Sequence, residues 1–359
     1  MIKLLSFDEA LTASNKYAKK HLLLGNGFSI ACIPSIFTYG SLYSKADFAA
    51  MPELKVVFDA LLTQDFELVI NTLENSSKII GAYGSGLGPV GKKMHEQAQS
   101  LKEKLIETVA HNHPSYPGII EEEKYKACLT FLSNFIDAGG NIYTINYDLL
   151  LYWTLMFGWE QKLIQTQPND GFGRDTAFYS GQVYVNDYLT WQGDTNAHGQ
   201  NIHYLHGALH LYDRGNEVEK FNWTDTHKPL IDQAREALQA SRFPLFVAEG
   251  ESSKKMERII HSGYLFHSYK SFSSMMQVGS KSSKYCLFTF GVSFSDNDEH
   301  IINKIPKGKV AHLFVSLFGD IDSPVNKQII AAAETLKRKR KNGDLEVSYY
   351  NAASANVWG

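Results

Sequence analysis

Apolar positions along the chain alternate between compact runs, which predict strands, and positions three and four apart, which predict helices. Ser6 and Glu9 stand at capping-box spacing and open a short amphipathic helix towards Lys20. His21-Leu-Leu-Leu24 then forms an apolar run leading straight into the glycine turn Gly25-Asn-Gly-Phe-Ser29. From about residue 45 to 138 the pattern is mainly helical, interrupted by a glycine-rich stretch at 81–91. Its last helix, 124–138, places Cys128, Leu129, Leu132, Phe135 and Ile136 at helical spacing, and Gly139 supplies the stop. Asn141–Ile145 predicts a strand, whereas 158–200, rich in Gly, Asn, Asp, Gln and aromatics, predicts an irregular insertion. Ile202–Leu205, Phe243–Ala248, Tyr285–Phe290 and Val310–Ser316 predict four further strands. Helical patterns at 252–278 and 323–341 separate the later ones, and Leu345–Tyr350 closes the series. Such alternation predicts an α/β fold, a Rossmann-like doubly wound parallel sheet. The expected organisation is one domain over 1–359, with a helical insertion about 45–138 and an irregular one about 158–200.

Composition narrows the class. At 359 residues the chain can bury a large core, and its 44% hydrophobic and 20% charged residues are ordinary for a globular protein. A formal net charge of -3 offers no global field to attract nucleic acid or an anionic membrane. Three cysteines far apart, Cys32, Cys128 and Cys286, fit neither a disulfide framework nor a zinc knuckle. The start MIKLLSFDEA reaches acidic residues too early for a signal peptide, and no apolar run approaches membrane-spanning length. The expected compartment is the cytoplasm.

In a doubly wound sheet, ligands bind beyond the carboxyl ends of the strands. The loops predicted there carry Gly25-Asn-Gly-Phe-Ser29, Thr144-Ile-Asn-Tyr-Asp148, Leu205-His-Gly207 and Gly291-Val-Ser293. Glycine lets a backbone approach a diphosphate, whose oxygens N–H groups of the turn can bind. One such turn is a weak signal; four in this order are far more specific.

The set resembles the sirtuin-like NAD-binding superfamily. Gly25, Gly27 and Ser29 match that family's opening loop, with Asn26 and Phe28 between them. Pro34 and Phe37 resemble the loop's continuation, Phe37 at the family offset and Pro34 one position early. Asn146 and Asp148 match the family's Asn and Asp, with Ile145 where it has Gln; His206-Gly207 match its catalytic pair, and Gly291 with Ser293 its late turn. The nearer likeness is to bacterial sirtuin-like proteins of phage defence, many of them NAD hydrolases. Departures favour that branch over the deacylases. Four zinc-binding cysteines cannot be supplied, Thr38 stands where an arginine is expected, and sixty residues separate Asn146 from His206.

The resemblance implies NAD as substrate or ligand, no metal, and cleavage of the nicotinamide–ribose bond. Nicotinamide departs as a neutral group, so the oxocarbenium-like transition state needs ordered polar contacts and a placed nucleophile more than a strong acid. Asn146 is the candidate to hold ribose hydroxyls or the attacking water, and His206 the candidate base. Asp148 is expected to orient the carboxamide, and Phe37 to cover the nicotinamide pocket. The segment Asn351–Gly359 is expected to border the adenine, with Asn356 reading its edge and Trp358 packed. Each residue also has a plain structural role: Asn146 as a cap for the helix after it, His206 as a satisfied polar residue, the glycines as turn formers, Phe37 as core and the last segment as a frayed tail.

Three other features carry weaker signals. Gly86-Leu-Gly-Pro-Val-Gly91 satisfies GxGxxG and, with Lys92, nearly a P-loop, but Lys93 stands where Ser or Thr is needed and no strand precedes it; a flexible loop is expected. His203, His206 and His210 have the look of metal ligands, yet on a strand running into a turn they would not share one face. Lys337-Arg-Lys-Arg-Lys341 suits a solvated helix end. The expected function is thus an NAD glycohydrolase. The rival is a binding module sensing NAD, ADP-ribose or a cyclic relative without turnover, and a P-loop nucleoside triphosphatase is a third option. A homo-oligomer or a defence-system protein is the partner envisaged, with no membrane and no direct nucleic acid.

Overall fold

The structure, a computed structural model, describes residues 2–37, 43, 46–49, 51–63, 66–83, 85–173, 176–179, 182–185, 188–193, 199–214, 217–221, 229, 232–233, 236–237, 240, 242–247, 252–275, 284–308, 310–340 and 344–359. Residue 45, Thr38, Ala248, residues 276–278 and Lys341, to which the sequence reading extended, lie outside them, as does part of 158–200. In chain order the strands are β1 Leu4–Leu5, β2 Lys19–Leu24, β3 Ile142–Thr144, β4 Thr176–Tyr179, β5 Gln182–Val185, β6 Tyr188–Thr190 and β7 Ile202–Tyr204. They continue as β8 Gly207–Asp213, β9 Val218–Phe221, β10 Phe243–Phe246, β11 Tyr285–Phe290, β12 Val310–Leu317 and β13 Glu346–Asn351.

Seven strands form one all-parallel sheet in the order β1-β13-β12-β11-β2-β3-β7. Taken from β2, the chain first builds outwards through β3 and β7, then crosses back to β11 and builds the other way through β12 and β13. This is the Rossmann strand order, extended by the short β1 beyond β13. The reversal lies between β2 and β11, where the loops leaving the two strands part.

Long apolar runs become strands here because both faces of the sheet are covered. Leu22 is in register with Phe288 and with Ile142, so these three share a face. Helix Glu122–Ile136 covers it, with the Phe135 and Phe288 rings 5.3 Å apart. Tyr143, one residue after Ile142, points the other way, and Phe272 of helix Gly263–Met275 meets it edge-on at 5.0 Å. Leu22, Leu23, Leu24, Leu287 and Phe288 are each fully buried. Among the described residues no helix is long and apolar enough to cross a membrane.

Several expectations are corrected in detail. The strand expected at Phe243–Ala248 is absent from the parallel sheet: β10 pairs antiparallel with β8 in a second sheet of order β10-β8-β9-β6. The stretch read as irregular carries the β4–β5 hairpin and β6. The alternation in Gln182-Val-Tyr-Val185 was the available signal, obscured by the Gly and Asn around it. Gly86–Gly91 is no flexible loop. It forms a 3₁₀ turn, Ser85–Leu87, and the first turn of helix Gly88–Asn112, which packs against helix Phe66–Ala82. Those two helices, with Pro52–Ala60 and Glu122–Ile136, fill the interval between β2 and β3.

Candidate functional site

Three loops meet at the carboxyl edge of the sheet, and glycine decides how closely. Gly25 N–H donates to the Phe290 carbonyl and Gly27 N–H to the Gly291 carbonyl, both at 3.0 Å. A methyl on Gly25 would lie 2.6 Å from the Gly291 carbonyl oxygen, and one on Gly27 would lie 2.5 Å from the Gly291 Cα. Gly291 itself has φ +67, a conformation that side chains disfavour. The two loops of the switch point therefore lock backbone against backbone. This differs from the expected cradle, because the amides of the opening loop are already engaged. Phe28 N–H donates to the Gly25 carbonyl and Ser29 N–H to that of Asn26. The side chain of Asn26 donates to the Phe37 carbonyl at 3.0 Å.

The third loop follows β3 and is tied to the first by Asn146. Its Nδ2 donates to the Gly25 carbonyl at 3.0 Å and to Ser29 Oγ at 2.9 Å. Both amide protons are thereby placed, and the side-chain oxygen of Asn146 is an acceptor only. Ser29 has no exposure, and its hydroxyl accepts from Asn146 while donating in a short hydrogen bond to Asp148 Oδ2. Asp148 Oδ1 accepts from Leu150 N–H at 2.9 Å and so caps helix Leu150–Glu160. Burial raises the Asp148 carboxyl above its usual value, against the hydrogen bond from Ser29 and the helix amide. Ser29 and Asp148 thus stand behind Asn146, with Asp148 bonded to Ser29 and Ser29 to Asn146.

His206 sits where β7 leaves the parallel sheet and β8 enters the antiparallel one. Leu205 N–H donates to the Thr144 carbonyl at 2.9 Å, and Val247 N–H to the His206 carbonyl at 2.9 Å. The Nε2 of His206 lies 3.0 Å from Nε2 of His300, and the two rings stack with centroids 5.1 Å apart. His206 is 2% exposed, and burial, with Lys255 nearby, drives its pKa well below the usual value, so it is a neutral imidazole.

Gly25, Asn146, His206 and Gly291 are therefore brought to one edge of the sheet, as the sequence predicts. Ser293 is exposed on the loop after Gly291, and Phe294 beyond it is buried with φ 56, a conformation seldom adopted by large side chains. Phe37 packs in the core, edge-on to His113 at 5.8 Å, so its position is that of a buried support rather than an open lid. His113 escaped the sequence reading, since nothing in its surroundings forms a motif. Its Nε2 accepts from Leu149 N–H at 3.0 Å, so the proton resides on Nδ1, 2.9 Å from the Pro114 carbonyl that accepts it. Burial pushes its pKa down to about 4. His300, Ser252 and Lys255 were also missed, because only the fold brings 252–261 and 296–302 together beside His206 in the turn after β7.

The other histidines of the apparent cluster go separate ways. His203 stacks on Tyr143 at 4.8 Å and His210 on Tyr152 at 4.3 Å. Among the described residues no group of three or more His, Cys, Asp and Glu is placed to hold a metal.

The last segment is ordered. Ala352–Ala355 forms a 3₁₀ turn, Asn356 is exposed with φ 45, and Ser354 Oγ accepts from Phe7 N–H at 2.8 Å. Trp358 is 4% exposed, packs tilted against Phe28 with ring centroids 5.0 Å apart and donates its indole N–H to the Phe28 carbonyl at 2.8 Å. It braces the opening loop from beneath. Trp358→Ala should therefore cost about 3 kcal/mol of stability, as for a buried large aromatic, read as a lowered urea midpoint. An unchanged midpoint would return the segment to the status of a tail. Removing 352–359 would uncover the same surface, so the rest of the chain is not expected to keep its full stability.

A search of the curated proteins finds no match. The family described as a domain of unknown function (DUF4917) matches residues 22–358. That span takes in β2 to the C-terminal turn and all three loops of the site, and the chain belongs to this family.

Proposed function

We propose that the chain is an NAD glycohydrolase of sirtuin-like type, cleaving the bond between nicotinamide and ribose. The supporting observation is the Asn146 tie. A buried amide, fixed to the opening loop through Gly25 and Ser29, offers one acceptor oxygen at the switch point, with His206 in the turn that follows the neighbouring strand β7. That oxygen suits a ribose hydroxyl or the attacking water. In the proposed reaction water adds to C1′, the C1′–N bond breaks, and nicotinamide leaves with the bonding pair. His206 takes the proton from the water and later releases it, so NAD and water give ADP-ribose, nicotinamide and a proton.

Asn146→Ala and His206→Ala should each lower nicotinamide release at least ~10²-fold while the circular dichroism spectrum is kept. Release at the parental rate from either variant would remove that residue from the mechanism. One observation favours a second reading, a sensor that binds NAD or ADP-ribose without turnover: the basic nitrogen of His206 is engaged by His300. A protein that binds NAD and releases no nicotinamide under any condition would fit that reading.

A further inference from the structure

The pairing of His206 with His300 is one link in a hydrogen-bonded chain. In a pair of neutral imidazoles one Nε2 carries the proton and the other the lone pair, and a base at His206 needs the lone pair on its own Nε2. In that tautomer His300 Nε2, 3.0 Å away, is the donor. That leaves His300 Nδ1 as an acceptor, and Ser252 Oγ stands 3.0 Å from it. The Ser252 oxygen in turn accepts from His300 backbone N–H at 2.7 Å. Beside this chain Lys255 Nζ holds Asp298 Oδ1 at 3.1 Å, and that carboxylate oxygen lies 3.9 Å from His206 Nε2. The lone pair that would take a proton at His206 Nε2 is thus covered by His300.

We infer that His300 caps the base of this site, holding His206 in a resting state that ligand binding must open. The inference rests on the hydrolase reading given above. The cap and the expected ligand contacts share one segment: Gly291 and Ser293 stand at its start and His300 at its end, with the buried left-handed Phe294 between. Helix Ser252–His261 anchors the far end through Ser252 and Lys255. A ligand seated against Gly291 and Ser293 moves the segment that carries the cap, freeing His206 Nε2 to accept a proton.

The test joins one structural and one kinetic readout. In full-length protein labelled with ¹⁵N-histidine, a coupling across the hydrogen bond should link the Nε2 atoms of His206 and His300 and vanish in His206→Ala and in His300→Ala. With NAD as the probe, His300→Ala should raise nicotinamide release by resting protein ~10-fold, the scale expected from losing one hydrogen bond. Ser252→Ala, which only loosens His300, should raise it less, and His206→Ala should abolish the gain. Absence of the coupling in the wild type would overturn the cap. A coupling together with unchanged or lower release from both His300→Ala and Ser252→Ala would overturn it too. If the coupling is present and no protein releases nicotinamide, the hydrolase reading fails, and with it the cap's function, while the pair itself stands.

Discussion

Acidification from pH 6.5 to 4 should unfold this protein cooperatively, with uptake of several protons. The cause is a set of histidines buried as neutral rings. Burial holds His21 and His203 down to about 3 and His113 down to about 4. Lys19 adds to the effect at His21, and His267 at His203. An unfolded histidine titrates near 6.5, so below that pH the unfolded chain binds protons that the folded chain refuses. The stability these residues contribute is complete above pH 6.5 and is lost progressively as pH falls towards the folded values. At pH 5 each has lost about 2 kcal/mol. Three together approach the ~5–15 kcal/mol by which a domain is stable. Asp148, raised by burial, acts in the opposite direction, but it is one carboxyl against several rings. Near-ultraviolet circular dichroism against pH reads the transition. A native spectrum at pH 4 would show that these rings are less enclosed than described.

Gly291→Ala should be among the most damaging small substitutions in the chain, at about 4 kcal/mol. Its φ of +67 alone costs an alanine about 1 kcal/mol. The larger part comes from the new methyl, which would meet the Gly27 backbone, where no side chain can move aside. Gly319 provides the comparison: its φ is +71 and nothing lies within 4 Å of a methyl placed there. Gly319→Ala should therefore lose only the conformational part. Urea denaturation of the two variants separates the effects. Equal losses would mean that the loops leaving β2 and β11 do not lock together.

Most of the architecture was legible, and what was missed has physical causes. Central parallel strands are buried on both faces, so His21–Leu24, Tyr285–Phe290 and Val310–Ser316 are apolar runs with unambiguous type. Glycines at strand ends marked the loops that converge. Partner choice is only partly legible: Phe243–Phe246 is an apolar run, but its Pro244 marks an edge position, and it pairs antiparallel with β8 at the edge of the second sheet. The split of roles among the site residues was also hidden. Asn146, Asp148 and Ser29 are all polar residues at strand ends, and only the fold brings them together, Asp148 bonded to Ser29 and Ser29 to Asn146. His300 has no motif of its own. Its importance arises from meeting His206, which lies 94 positions earlier in the chain.

The central claim is that NAD lies across the switch point between β2 and β11. Crystals of His206→Ala grown with saturating NAD would hold the dinucleotide uncleaved. The account places the nicotinamide ribose against the carbonyl oxygen of Asn146, beside position 206. NAD at the amino edge of the sheet, or a cleft still empty at saturation, would contradict it.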